Sequence, residues 1–344
     1  MPSPAIGAKL GAGRGDQLET AVRGSLKPVA ARTAELLGAE VRFATDCVGP
    51  PAEDAVSALG PGEVALLENV RFHAEEEAND SGFAGQLAGL ADVFVNDAFG
   101  TAHRAHASTE GLAQYLPAVA GLLMEKEIVS LGSALEDPKH PFIGVVGGAK
   151  VSSKLAVLEN LIDRVDRLLI GGGMANTFLS AQGFQVGKSL LEADLVETAS
   201  ELLQSGGKIV LPVDVVVTRD LTGNAMPRTC AVEEVGADEM IVDIGPRTMD
   251  AFKAEIATAG TVLWNGPMGI FEDSRFAAGT LSVARAMADS KATTVVGGGE
   301  SVQAVEQAGL ADKLTHVSTG GGASLEFIEG KVLPGVAALK SDCT

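Results

Sequence analysis

The stretch FIGVVGGAKVSSKL, residues 142–155, decides how this chain is read. The apolar run Phe142–Val146 stops at Gly147-Gly148, and two lysines, Lys150 and Lys154, follow four positions apart. A short apolar run ended by glycine and followed by an amphipathic stretch is the pattern of a buried strand turning into a helix. The pattern recurs. Strands are expected at 64–67, 92–95, 142–146, 167–170, 208–217, 261–264 and 293–296. Helices are expected between them at 27–37, 153–164, 191–205, 249–259, 275–289 and 301–307. Such alternation places the chain in the α/β class, with parallel sheets covered on both faces. Val119–Leu135 reads as one long helix closed by Pro138 and Pro141, connecting an N-terminal portion to a C-terminal α/β domain. The acidic run 75–77 and the polar stretch 79–82 read as an exposed loop.

Glycine carries the next step: 42 of 344 residues, clustered rather than periodic, which excludes collagen and low complexity. Gly147-Gly148, Gly171-Gly172-Gly173, Gly297-Gly298-Gly299 and Gly320-Gly321-Gly322 each follow an apolar run, and most precede a helix. In an open α/β sheet such turns share the edge where ligands bind. Bare backbone N–H groups at helix starts attract anions. One run alone needs no more than a tight turn to explain it; four together favour a phosphate-rich ligand. Neither GxxxxGK[ST] nor GxGxxG is present, so the two common nucleotide fingerprints do not apply. No GxSxG motif supports a serine hydrolase.

Lys150 and Lys154 at i,i+4 are expected on one helical face, where a bound anion relieves their repulsion; the alternative is two solvated lysines. Residues 264–272 leave a strand through Asn265 and Pro267 and end in Glu272. Gly298 and Gly299 lead to Glu300 and Ser301 at a helix start, where Glu300 is either a stabilising N-terminal charge or an oxygen ligand for Mg²⁺. Two further loops, 68–73 and 96–106, each follow a strand and bring Arg71, His73, His103, Arg104 and His106 to a chain poor in arginine and histidine. Arginine suits bidentate capture of carboxylate or phosphate; His103 and His106 lack the further ligands a metal needs.

Charge and composition bound the partners. Lys+Arg 26 against Asp+Glu 45 gives −19, which argues against a broad nucleic-acid-binding face. No apolar run reaches the length of a membrane span. Cys47, Cys230 and Cys343 are scattered and odd in number, fitting a reducing compartment without disulfides or zinc spacing. Met1–Ala5 shows no secretory signal.

The motifs ENVRFHAEEE (68–77), VNDAFGTAHRAHAS (95–108), VVGGAKVSSKL (145–155), IGGGMANTFL (170–179), VLWNGPMGIFE (262–272), VVGGGES (295–301) and HVSTGGGASLEFIEGKVLPGV (316–336) occur in the order of one family. From about Ser25 onward the chain resembles phosphoglycerate kinase. The resemblance implies two Rossmann-like lobes with parallel sheets joined by an interdomain helix. Residues 1–118 would form an N-terminal 3-phosphoglycerate-binding lobe, 119–138 the connecting helix, 139–329 the nucleotide-binding lobe, and 330–344 a segment returning to the first lobe. It implies reversible phosphoryl transfer between 1,3-bisphosphoglycerate and ADP, giving 3-phosphoglycerate and ATP, with Mg²⁺. A monomeric, cytoplasmic protein is expected, with a plastid location left open.

By the same resemblance, Arg71 and Arg104 would grip the glycerate's phosphate and carboxylate, with His103 beside them. Lys150 would follow the migrating phosphoryl group and Lys154 the nucleotide phosphates. Gly147 and Gly148 would belong to that phosphate loop. Gly171, Gly172 and Ile241 would border the adenine, Glu272 the ribose, and Asn265 and Pro267 the phosphate side. Gly298, Gly299, Glu300 and Ser301 would handle phosphates and magnesium. Gly320, Gly321 and Gly322 would lie near the transferred group, with Lys150, Gly321 and Arg104 as the catalytic set.

Three departures stand out. The family's opening Arg-Val-Asp-x-Asn-Val-Pro has no counterpart, and where it reads His-Leu-Gly-Arg-Pro this chain has Lys9-Leu10-Gly11-Ala12-Gly13, with Arg14 displaced. Glu300 stands where Asp is usual, and Ile241 where a small residue is common. A truncated first lobe with weak turnover is the expectation these carry, and a catalytically impaired nucleotide-binding protein is the alternative function.

Overall fold

A computed structural model describes residues 24–223 and 225–339, which leaves Lys9–Gly13, Arg14 and Cys343 outside the described residues. The chain divides into two compact units. The first holds the chain up to Asn96, Arg104–Val119, and the part from Pro334 on; the second holds Asp97–His103 and Ala120–Leu333.

The second unit is built on a six-stranded parallel sheet. In chain order its strands are β5 (Phe142–Val146), β6 (Arg167–Ile170), β7 (Ile209–Val210), β11 (Thr261–Asn265), β12 (Thr293–Gly297) and β13 (His316–Val317). Their spatial order is β13-β12-β11-β5-β6-β7, and every pairing is parallel. β5 and β11 are buried at every position, as expected where helices cover both faces. Ile143, Val145, Leu169, Trp264 and Val296 form the core with Phe252, Ile256 and Met287 from flanking helices.

A second sheet in this unit is antiparallel: β8 (Asp214–Thr218) lies between β9 (Arg228–Ala231) and β10 (Met240–Ile244). The expected single strand 208–217 is therefore two strands in different sheets. Pro212 lies at the break, where it has no N–H to offer a ladder.

The long helix begins at Leu122 and ends at Glu136, after a short strand, β4 (Ala118–Ala120). Its start is fixed from a distance. The Asp97 carboxylate accepts the Leu123 and Met124 N–H groups at 2.7 and 3.0 Å, and a side chain on Gly121 would stand 2.4 Å from that carboxylate. Such a cap satisfies donors that the helix itself cannot.

In the first unit, β1 (Val41–Phe43) and β2 (Val64–Leu66) pair in parallel, and all their residues are half-buried. Helices span Lys27–Leu37, Pro50–Ser57 and Ser81–Ala88. A strand β3 (Phe94–Asn96) follows, with the Phe94 N–H donated to Pro117 at 2.9 Å. The acidic run expected as a loop is a short helix, Ala74–Glu77. Glu76 is 1% exposed, because its carboxylate accepts both the N–H and the hydroxyl of Ser108 at 2.9 and 2.6 Å. Asp80, also read as loop, caps the 81–88 helix through the Phe83 N–H.

Candidate active site

Three strand-end loops of the second unit are knitted together through backbone. The Gly147 N–H donates to Asn265 O, Gly148 N–H to Pro267 O, Gly172 N–H to Met268 O, and Met174 N–H to Gly148 O, at 2.9–3.0 Å. A Cβ on Gly147 would stand 2.1 Å from Pro267 O; on Gly172, 2.7 Å from Gly148 N, Gly148 O and Pro267 O; on Gly171, 2.5 Å from the Met268 sulfur. Gly172 and Gly266 also take φ values of +69° and +98°, which L side chains resist. Close packing of the neighbouring loops accounts for these glycines without a ligand. Gly320 is of the same kind, its Cα packed so that a Cβ would stand 2.5 Å from the Phe99 ring. Gly299 and Gly321 differ: nothing lies within 4 Å of where their Cβ would be. Their backbone is open to a ligand.

Two adjoining cavities lie at this edge. One, of about 340 Å³, is mostly apolar; Gly148, Gly172, Ile241, Pro267, Glu272 and Glu300 are among its lining. The other, of about 280 Å³, is lined by Lys154, Asn265, Gly266, Gly298, Gly299, Glu300, Ser301, Gly321, Gly322 and Leu325. Glu300 borders both. Lys154 donates to the Asn265 side-chain carbonyl, and burial lowers its affinity for the proton, against the pull of Glu300 and Glu329. Asn265 is 1% exposed, and its Nδ2 has no protein partner. A buried amide donor beside a half-buried ammonium is costly unless an acceptor fills the space. An anion is one group that offers such an acceptor.

Ser301 is buried, and its hydroxyl accepts the Gly266 N–H at 2.6 Å, so it joins two loops before it meets any ligand. The lysine pair does not share a helical face. The helix starts at Leu155, with Lys154 as its N-cap. Lys150 precedes a turn closed by Ser153 Oγ to Lys150 O and by the Lys154 N–H to Val151 O, both at 2.9 Å. Lys150 is exposed and Lys154 half-buried. Glu192 accepts the Ser152 N–H and hydroxyl in the same turn.

Asp243 escaped sequence reading. It lines the apolar cavity at 2% exposure, accepting the Gly279 and Ile244 N–H groups at 2.7 and 2.9 Å. Burial pushes its carboxyl up to about 7, against those two hydrogen bonds. The signal was a carboxylate inside the apolar run MIVDI, in a strand missing from the expected set.

Arg71 and Arg104 lie in the first unit. Arg71 is ion-paired with Glu77, and its N–H is held by Asn69 Oδ1 at 3.0 Å. His103 lies in the second unit, with Nε2 3.4 Å from where a Gly322 side chain would begin.

The phosphoglycerate kinase family profile matches residues 4–331. The likeness thus begins well ahead of Ser25 and runs through both units, which does not favour an impaired protein keeping one lobe. The chain is 58% identical to the phosphoglycerate kinase of Moorella thermoacetica over 318 residues, covering 91% of this chain and 81% of that relative. It is also 58% identical to that of Pelotomaculum thermopropionicum over 321 residues, with 92% and 82% covered. Among solved structures, it is similar to the phosphoglycerate kinase of Coxiella burnetii at a TM-score of 0.84 and 43% identity, covering 92% of this chain and 80% of that one. The Pyrococcus horikoshii enzyme gives 0.81 and 38%, with 92% and 82% covered. A sheet edge built around lysine and glycine, in a chain this close to those enzymes, leaves one conclusion: the chain belongs to the phosphoglycerate kinase family.

Proposed function

We propose that this chain transfers a phosphoryl group between 1,3-bisphosphoglycerate and ADP, with the nucleotide held as its Mg²⁺ complex on the second unit. The observation that carries the nucleotide assignment is the buried, unpartnered Asn265 Nδ2 beside Lys154, at the junction of an apolar and a polar cavity. Adenine takes the apolar cavity, against Ile241 and the Gly171–Gly173 loop, and Glu272 meets the ribose. The phosphates extend toward Lys154, Asn265 and the open backbone at Gly299 and Gly321. Glu300 offers a carboxylate at the boundary of the two cavities, a hard oxygen donor of the kind Mg²⁺ selects. The ion, when bound, neutralises phosphate charge.

Arg71, Arg104 and His103 are assigned to the glycerate substrate. In the forward direction a β-phosphate oxygen of ADP attacks the acyl phosphorus. The P–O bond to the carboxyl breaks, and 3-phosphoglycerate leaves as a carboxylate. No side chain need act as nucleophile; the protein aligns the groups and neutralises charge. Lys150, exposed on a turn, is free to follow the group in transit. Net charge −19 opposes anionic substrates at long range, but screening over about 8 Å lets local cations prevail.

No helix among the described residues is long and apolar enough to cross a membrane; a cytoplasmic monomer with small-molecule partners is part of this proposal. The test is a coupled assay of the purified chain with 1,3-bisphosphoglycerate, ADP and magnesium. ATP formation that is lost in Lys154→Ala is the expected result. A folded chain that makes no ATP overturns the proposal.

A further inference from the structure

Cys47 and His73 both leave the C-terminal ends of the parallel pair β1–β2. Phe43 is in register with Leu66, and the Ala44 N–H continues the ladder to Leu66 O at 3.0 Å. Cys47 follows four residues after β1 and His73 seven after β2. Asp46 lies between them: its Oδ1 is 2.7 Å from His73 Nε2 and accepts the Cys47 N–H at 2.7 Å. One ligand atom from each of Asp46, Cys47 and His73 falls within 4.8 Å of the others. A tetrahedral zinc ion, with bonds of about 2.0–2.3 Å, needs such atoms roughly 3.3–3.8 Å apart. Asp46 and His73 are 41% and 29% exposed, which leaves their side chains room to rotate toward that spacing.

The setting favours a cation over the bare side chains. Cys47 is fully buried beside Phe83, Ala84, Leu87 and Ala107. Phe83 packs against His73, ring centroids 5.1 Å apart and planes tilted by 33°, an apolar wall of the kind that limits solvent around a metal site. The residues mix sulfur, nitrogen and oxygen, unlike the oxygen donor at Glu300, and none of the three has a part in the proposed transfer.

We propose that Asp46, Cys47 and His73 bind a borderline-soft divalent cation of the zinc type. Binding exchanges the Cys47 S–H proton for the metal, Cys–SH + M²⁺ giving Cys–S–M⁺ + H⁺, with the proton released to solvent. His73 coordinates through Nε2 with its remaining proton on Nδ1. The inference does not depend on the proposed activity.

Cobalt(II) is the probe, added to the purified whole chain in magnesium-containing buffer. The expected result is a thiolate-to-cobalt charge-transfer band in the near ultraviolet. It saturates at about one equivalent, strengthens as pH rises, and is erased by zinc. Cys47→Ser removes the band. His73→Ala and Asp46→Asn, at half-exposed positions that leave all three thiols in place, each weaken cobalt binding about tenfold or more. No band on the wild-type chain, or a band of equal affinity in His73→Ala, overturns the site and leaves a structural Asp–His pair.

Discussion

The two units place their candidate ligand groups on different footings. In the second, the site is backbone: strands buried at every residue end in glycine loops with no room for a Cβ, and Lys154 and Asn265 project from that frame. In the first, the strands β1 and β2 are half-buried, and Arg71 is already engaged by Glu77. A nucleotide's phosphates can be met by fixed amides and one half-buried ammonium. A small carboxylate and phosphate require arginines, which are long and must be held by other charges. The lesson is that rigidity is supplied by packing in one unit and by polar networks, such as Glu76 with Ser108, in the other.

That contrast can be broken by substitution. Lys154→Ala is expected to have the largest effect, lowering kcat/KM for ADP on the order of 10²–10³-fold, as for loss of a key charge-stabilising donor; steady-state kinetics check it. Gly147→Ala comes next. Its Cβ would stand 2.1 Å from Pro267 O, and forcing the loops apart should cost about 3 kcal/mol, read by denaturant unfolding together with loss of ADP binding. Stability equal to wild type would mean the loops are not locked as described.

Arg71→Ala should separate function from folding. Binding of 3-phosphoglycerate weakens about tenfold, the scale of one charged hydrogen bond. Stability moves by less than about 1 kcal/mol, since the Arg71–Glu77 pair is part-exposed. A large stability loss would place Arg71 in the frame rather than the site.

The smallest effect concerns pH. Asp243 has its folded carboxyl raised from 3.8 to about 7, so the folded state holds a proton that the unfolded chain has released. Its contribution to stability is full below pH about 4 and is lost as pH rises through 7. Asp243→Asn should therefore flatten the decline in thermal midpoint between pH 4.5 and 7.5. Parallel profiles for variant and wild type would contradict the burial argument.

Much of the second unit was legible in the sequence, because β5, β6, β11 and β12 are continuous apolar runs closed by glycine. Those features reflect two demands, burial on both faces and close backbone approach. What escaped was set by tertiary context. β1 is three half-buried residues, too short for a pattern. The helix starting at Leu122 is fixed by Asp97, twenty-six positions away from Leu123. Glu76 is a carboxylic side chain yet buried because Ser108 meets it. The lysines share a spacing but not a helical face, since a turn stands between them. Ile241 was placed at the nucleotide cavity only through resemblance, and Asp243, two residues on, was not placed at all.

The second unit's cradle is expected to bind a magnesium nucleotide. Isothermal titration of the whole chain with ADP, in excess magnesium, addresses it most directly. The expected result is one equivalent of ADP bound by the wild type and at least tenfold weaker binding by Lys154→Ala, the measure of one charged donor lost. A folded wild-type chain that gives no binding heat at several temperatures, or equal affinity in both proteins, contradicts it.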